Sequence, residues 1–137
     1  MSQENVEIVR RNYESVTATL QMPSELFDPD FEVDATSVGA GVGVTRGLDA
    51  AQEFLQEYWE TFENFRVELE EVIHADDEQV VTAVRDGGRI KGSDAETWSR
   101  FFHVWGFDDG KIARLSIHIE RNRALEAAGL SEDGEPL

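Results

Sequence analysis

The chain has 137 residues, 40% of them hydrophobic, with eight Phe, two Tyr and three Trp, which is enough to build one domain around a real core and excludes a disordered acidic protein. Against that core stand 29 acidic and 12 basic residues, a net charge of −17 that repels phosphate backbones and anionic lipid and so excludes nucleic acid and membrane surfaces as partners. The absence of cysteine removes disulfides, thiolate nucleophiles and thiolate zinc sites. No apolar run approaches the roughly 18 residues of a membrane span, and the opening MSQENVEIVRRN is neither basic nor apolar enough for a secretory signal. The expected setting is the cytoplasm.

From Asn5 to Leu20, the apolar residues Val6, Val9, Tyr13, Val16 and Leu20 step by three and four, one face of a long amphipathic helix. Pro23-Ser24-Glu25 supplies a breaker and a cap, predicting a short helical turn that carries Leu26 and Phe27. The alternation from Phe31 to Thr36 reads as a strand. Glycines 39, 41 and 43 punctuate a loop, and a second helix is expected from Leu48 to Phe62. Three strands follow, Phe65 to Ala75, Val80 to Arg85 and Thr97 to Phe107, with turns expected at Asp76-Asp77-Glu78 and around Gly87-Gly88. Asp108-Asp109-Gly110 is a hairpin signal leading into a last strand, Ile112 to Ile119. A short helix from Ala124 to Ala128 stops at Gly129. Residues 1–130 thus read as one domain and 131–137 as a loose acidic tail. Helices first and a meander of long strands after them make the fold α+β, not alternating βαβ. A strongly curved antiparallel sheet wrapped around the long helices would form a cone with an apolar interior.

Familiar chemical signatures are missing. The chain has no P-loop, no HExxH and no G-x-S-x-G elbow. The glycine run at 39–43 follows a strand but opens no helix, so it reads as a loop and not as a dinucleotide fingerprint. His74, His103 and His118 fall on three different predicted strands, and His118 with Glu120 lacks a convergent third ligand. No metal and no cofactor is expected.

Several short pieces, each weak alone, become specific through their order and spacing. They are Val6-x-x-Val9-x-x-x-Tyr13, Phe27-Asp-Pro-Asp-Phe31-Glu-Val33, Arg46-Gly47, Glu53-Phe54, Phe102-His-Val-Trp-Gly-Phe107, Asp109-Gly-Lys-Ile112 and Arg123-Ala-Leu-Glu-Ala-Ala-Gly-Leu130. Together, over about residues 4 to 130, they resemble the SnoaL-like domains of the nuclear transport factor 2-like superfamily. The resemblance implies a cone-shaped α+β domain with an interior pocket, commonly a homodimer packed through its sheets. It does not fix an activity, because relatives include steroid isomerases, polyketide cyclases, epoxide hydrolases and members without catalysis.

Resemblance to the ketosteroid isomerases places Tyr13 at their oxyanion-hole tyrosine and His103 at their protonated aspartic acid. A hydroxyl and a neutral imidazole converging on one oxygen would suit a developing enolate. The same alignment puts Ala35 where those enzymes hold their general base. Asp34, one residue away, is then the candidate carboxylate, and strand alternation turns it to the other side unless a bulge intervenes. Alternation sets Phe101, Trp105 and Phe107 beside His103 on the inner face, with Leu115 and Ile117 inward on the next strand. Tyr58, on the second helix, either packs that helix on the sheet or tips its hydroxyl into the pocket. Trp98, Arg100, Phe102, Arg114 and His118 share the outer face, where large aromatics point to burial by a second copy of the chain.

Two functions fit this reading. One is a small-molecule enzyme with isomerase- or cyclase-like proton transfer, in which Tyr13 and His103 polarise an oxygen and Asp34 or His103 moves the proton. The other is a non-catalytic ligand-binding or dimerisation module. The expected reading is a SnoaL-like protein with a pocket for a small hydrophobic molecule.

Overall fold

The structure, a computed structural model, describes residues 2–39 and 42–136; Ala40 and Gly41 of the glycine loop lie outside the described residues, as do Met1 and Leu137. In chain order its elements are α1 (Ser2–Thr19), β1 (Phe27–Asp34), β2 (Val44–Arg46), α2 (Leu48–Trp59), β3 (Phe62–Ala75), β4 (Gln79–Ile90), β5 (Glu96–Asp108), β6 (Lys111–His118) and α3 (Arg121–Ala127). Single 3₁₀ turns at Ser24–Leu26 and Thr36–Val38 flank β1.

The strands form one sheet in the order β2-β1-β6-β5-β4-β3. All neighbours are antiparallel except β1 and β6, which run parallel. The sheet is curved and unclosed, and α1 and α2 fill its concave side. Val9, Tyr13 and Val16 of α1 and Ala51, Leu55 and Trp59 of α2 join Phe31, Val33, Val80, Val84, Trp105 and Leu115 in the main core. The carboxamide of Gln52 ties the two helices, donating to Leu20 O at 2.9 Å while its oxygen accepts the Met22 N–H at 2.9 Å.

Three elements differ in extent from the sequence reading. The helical turn ends at Leu26, and Phe27 already belongs to β1. Pro29 is accommodated because the β1–β6 register shifts between Phe27 and Glu32, where no ladder donor is needed. Phe62 opens β3 and is not part of α2, which closes at Trp59. The short edge strand β2 has only three residues, too few for a periodic signal.

The most consequential difference is at Gly87-Gly88, expected as a turn. Both lie inside β4, with φ of 152° and 153°. A Cβ on Gly87 would sit 1.9 Å from the Thr97 carbonyl oxygen, and one on Gly88 2.9 Å from that of Glu63. Opposite them β3 is bulged between Glu63 and Arg66. The glycines let three strands approach closely beside the β3 bulge, and the true turn falls beyond Ile90.

The outer face of the sheet also departs from expectation. Phe102 is already buried within its own chain, clustered with Ala124 and Leu125 of α3 and Leu130 just beyond it. His118 is buried too, its Nε2 2.9 Å from Ser116 Oγ. Trp98 lies half-buried beneath the guanidinium groups of Arg66 and Arg85, and its indole N–H donates to Glu96 at 2.7 Å. Arg100 and Arg114 are exposed, Arg100 paired with Glu70. Residues 131–136 fold back so that Leu130 bridges Pro136.

Candidate functional site

The concave side holds a cavity of about 340 Å³, at the lower end of the size usual for small-molecule sites. Its walls come from every layer of the fold: Asn12, Tyr13 and Val16 on α1, Phe54, Leu55, Tyr58 and Trp59 on α2, and Phe65, Val67, Asp86, Phe101, His103, Trp105, Leu115 and Ile117 on the sheet. Met22, Ala35, Val38, Val42 and Ile119 complete the lining. Thus Tyr13, His103, Tyr58, Phe101, Trp105, Leu115 and Ile117, all singled out from the sequence, surround one space. Phe107 does not line it; the side chain is buried in the core, paired in register with Ile112.

Tyr13 and His103 meet, though not side by side as two donors toward a third atom. The Trp105 indole N–H donates to the Tyr13 hydroxyl at 2.8 Å, and the same hydroxyl lies 2.8 Å from both Thr82 Oγ1 and His103 Nδ1. A phenol has one proton and two lone pairs, so these three partners use all of its capacity. Tyr13 is a structural hub whose hydroxyl has nothing left for a ligand oxygen. Burial pushes its pKa up and holds it neutral. Burial also pushes His103 down to about 3, with nearby His118 adding to the effect, so the ring is neutral at physiological pH. When Tyr13 donates to Nδ1, the proton of the neutral ring sits on Nε2, the nitrogen left for the cavity.

Asp34 stands apart from this group. The alternation along β1 buries Phe31, Val33 and Ala35 and turns Asp34 outward, where its Oδ1 accepts the Thr36 N–H at 2.9 Å. Hydrogen bonds from Thr36 hold its carboxyl below the usual carboxylate range. It contributes nothing to the cavity lining, and Ala35 takes the inward position. The bulge that would have rescued it is absent: Val33 and Asp34 pair in step with Leu115 and Ser116.

The inward carboxylate is Asp86, which the sequence reading passed over. It follows Thr82 and Val84 on the inner face of β4, is 6% exposed, and lines the cavity. The Tyr58 hydroxyl donates to its Oδ1 at 2.6 Å. Burial raises the Asp86 carboxyl to about 6, and the Tyr58 hydrogen bond offsets only part of that. Tyr58 itself is pushed up by burial and by the facing Asp86 charge. The signal that could have found Asp86 is alternation carried through Val80, Thr82 and Val84; the following glycines masked it.

A curved six-stranded sheet closed by helices around an interior cavity defines the nuclear transport factor 2-like class of α+β cones. Within that class, the model of the SnoaL-like domain matches residues 9–115, and the chain belongs to that family. A protein of Jannaschia sp. classed as a SnoaL-like polyketide cyclase is similar in structure, with a TM-score of 0.73 and 19% identity over 99% of this chain and 96% of that one. A Catenulispora acidiphila protein with a ketosteroid isomerase-like fold, in complex with trimethylamine, has a TM-score of 0.69 and 20% identity over 93% and 95% of the two chains. An epoxide hydrolase of the LEH-like type from M. tuberculosis has a TM-score of 0.67 and 16% identity over 91% and 89%. At these identities the likeness is one of fold. No curated protein matches the sequence.

Proposed function

We propose that the cone binds a small, largely apolar carbonyl compound and that Asp86 takes a proton from the carbon beside the carbonyl. The observation that carries this reading is a carboxylate raised to about 6 in the wall of a mostly apolar cavity. A base is most effective when its pKa lies near the working pH, where it is mostly ionised yet still strong. Asp86 meets that condition at neutral pH, whereas Asp34, turned outward and held acidic, does not. Tyr58 orients the carboxylate through its hydroxyl. His103, neutral and with Nε2 available, supplies the hydrogen bond to the oxygen on which enolate charge would collect. Tyr13 fixes the tautomer of His103, and its saturated hydroxyl makes no hydrogen bond to the ligand. Positioned bases contribute roughly 10²–10⁴-fold to such steps.

The test is solvent exchange on a flat enolisable ketone. With 2-tetralone in D₂O, loss of the α-proton resonances measures abstraction, and the fluorescence of Trp59 and Trp105, both in the cavity wall, reports binding. The expected result is binding with catalysed exchange, and for Asp86→Asn binding without it. Exchange at the same rate in Asp86→Asn would remove Asp86 from the role. Binding with no catalysed exchange in either protein would make the chain a ligand-binding module instead.

A further inference from the structure

Two asparagines on α1, Asn5 and Asn12, sit two turns apart on its buried face, 4% and 3% exposed. They are the same residue type on the same helix, and they are treated differently. The Asn5 carboxamide donates to the carbonyl oxygens of Asp76 and Asp77 at 3.1 and 3.2 Å, pinning the helix start to the β3–β4 turn. Asn12 lines the cavity, and its Oδ1 is buried with no hydrogen-bond partner. Buried polar atoms are nearly always paired, and an exception needs a reason. Asn12 sits on the apolar face between Val9 and Val16, where no protein group answers its amide oxygen.

We propose that Asn12 is a specificity-determining residue whose carboxamide receives a hydroxyl group of the ligand, so that the cavity prefers a hydroxylated ring ketone to the unsubstituted one. A carboxamide offers one acceptor and two donors, and rotation about its last torsion exchanges them. A hydroxyl can answer either face, donating to Oδ1 or accepting from Nδ2. A neutral group is favoured because Asp86 shares the cavity and, ionised at neutral pH, opposes an anionic substituent. A cationic substituent would be drawn to Asp86 and away from Asn12. This inference rests on the reading of the cavity as a ligand site and adds a third polar point to it, beside Asp86 and His103.

The experiment compares affinities for 2-tetralone and for its 5-, 6-, 7- and 8-hydroxy derivatives, measured by tryptophan fluorescence on the wild-type protein, Asn12→Leu and Asn12→Ala. Satisfying a buried orphan acceptor is expected to make at least one hydroxy derivative bind the wild type about 10- to 100-fold tighter than the parent. In Asn12→Leu that ratio falls to about one. Asn12→Ala carries the same comparison if the leucine variant does not fold, and it too loses the preference. Tetralone binding with no hydroxy derivative preferred overturns the inference and leaves the ligand site standing. A preference that persists in both variants overturns it as well. Failure of all five compounds to bind overturns the inference together with the reading on which it rests.

Discussion

Replacing Asp86 by Asn isolates the cost of keeping a carboxylate in the wall of the cone. In the unfolded chain this carboxyl ionises at its ordinary 3.8, and in the fold at about 6. Between those values the folded state holds the proton more tightly, so the contribution of this group to stability is most favourable below pH 3.8, falls as the pH rises and is fully reduced above about pH 6. A gap from 3.8 to about 6, at 1.36 kcal/mol per pH unit, is about 3 kcal/mol, a ceiling because the unfolded chain and penetrating water both reduce it. Asparagine removes that cost, and its Oδ1 can still accept from Tyr58. For a chain of 137 residues, with an unfolding entropy of about 2.1 cal/mol/K per residue, 3 kcal/mol corresponds to roughly 10 °C in Tm. Calorimetry of both proteins from pH 3.5 to 8 is the assay. The expected difference is near zero at the acid end, grows through pH 4–6 and stays level above that. A difference that is flat across this range would refute the argument, because a carboxyl titrating as it does in water adds no pH-dependent term.

Other substitutions test the rest of the site and its support. Tyr13→Phe strands Thr82, His103 and the Trp105 N–H at once and is expected to cost about 2–4 kcal/mol in urea unfolding; a loss below about 0.5 kcal/mol would show that the hydroxyl is not a hub. His103 contributes in the opposite sense to Asp86. With its folded value depressed from 6.5 to about 3, its stability is present above pH 6.5 and lost as the pH falls toward 3. His103→Gln should therefore unfold less steeply in acid, and identical acid titrations would contradict this. Gly87→Ala drives a Cβ into the Thr97 carbonyl and should yield little folded protein, whereas Gly134→Ala, whose Cβ would meet nothing closer than 3.7 Å, should cost about 1 kcal/mol for its positive φ alone. Equal expression and Tm for the two would refute the close-approach reading. Leu125→Ala opens the core beneath α3 and is expected to lose about 2–5 kcal/mol without altering tetralone affinity.

Where two periodicities met a clear stop, the sequence was easy to read. The three-and-four step through Val6, Val9, Tyr13 and Val16 predicts α1, and the alternation through Phe101, His103 and Trp105 predicts which residues of β5 face the cavity. Gly87-Gly88 was harder because glycine pairs serve both turns and sharply bent strands, and only the neighbouring strands distinguish them. Ending β4 at Arg85 left Asp86 in a solvent turn, so the one inward carboxylate among the described cavity residues went unread. The covering of Phe102 by α3 is tertiary in origin: nothing in the spacing of Ala124, Leu125 and Leu130 says which surface they meet. Hydrogen-bond saturation of Tyr13 was invisible for the same reason, since Thr82 and Trp105 lie 69 and 92 residues away along the chain.

β3 forms one open border of the sheet, and an open border invites another chain to add a strand. Three register shifts break its ladder, between Glu63 and Arg66, Leu69 and Glu71, and Val72 and His74. At Val67, between the first two, Thr17 of α1 answers both backbone groups, its Oγ1 accepting from the amide at 3.1 Å and donating to the carbonyl at 3.3 Å. Glu63, Glu68, Glu70 and Glu71 line the same strand, and each faces an arginine of its own chain. An incoming strand would find a broken repeat, a backbone site already taken and a set of charged side chains already engaged in ion pairs. Resistance to edge-to-edge aggregation is thereby built into the longest strand, and Thr17→Val with the four glutamates neutralised is the variant in which that protection would fail first.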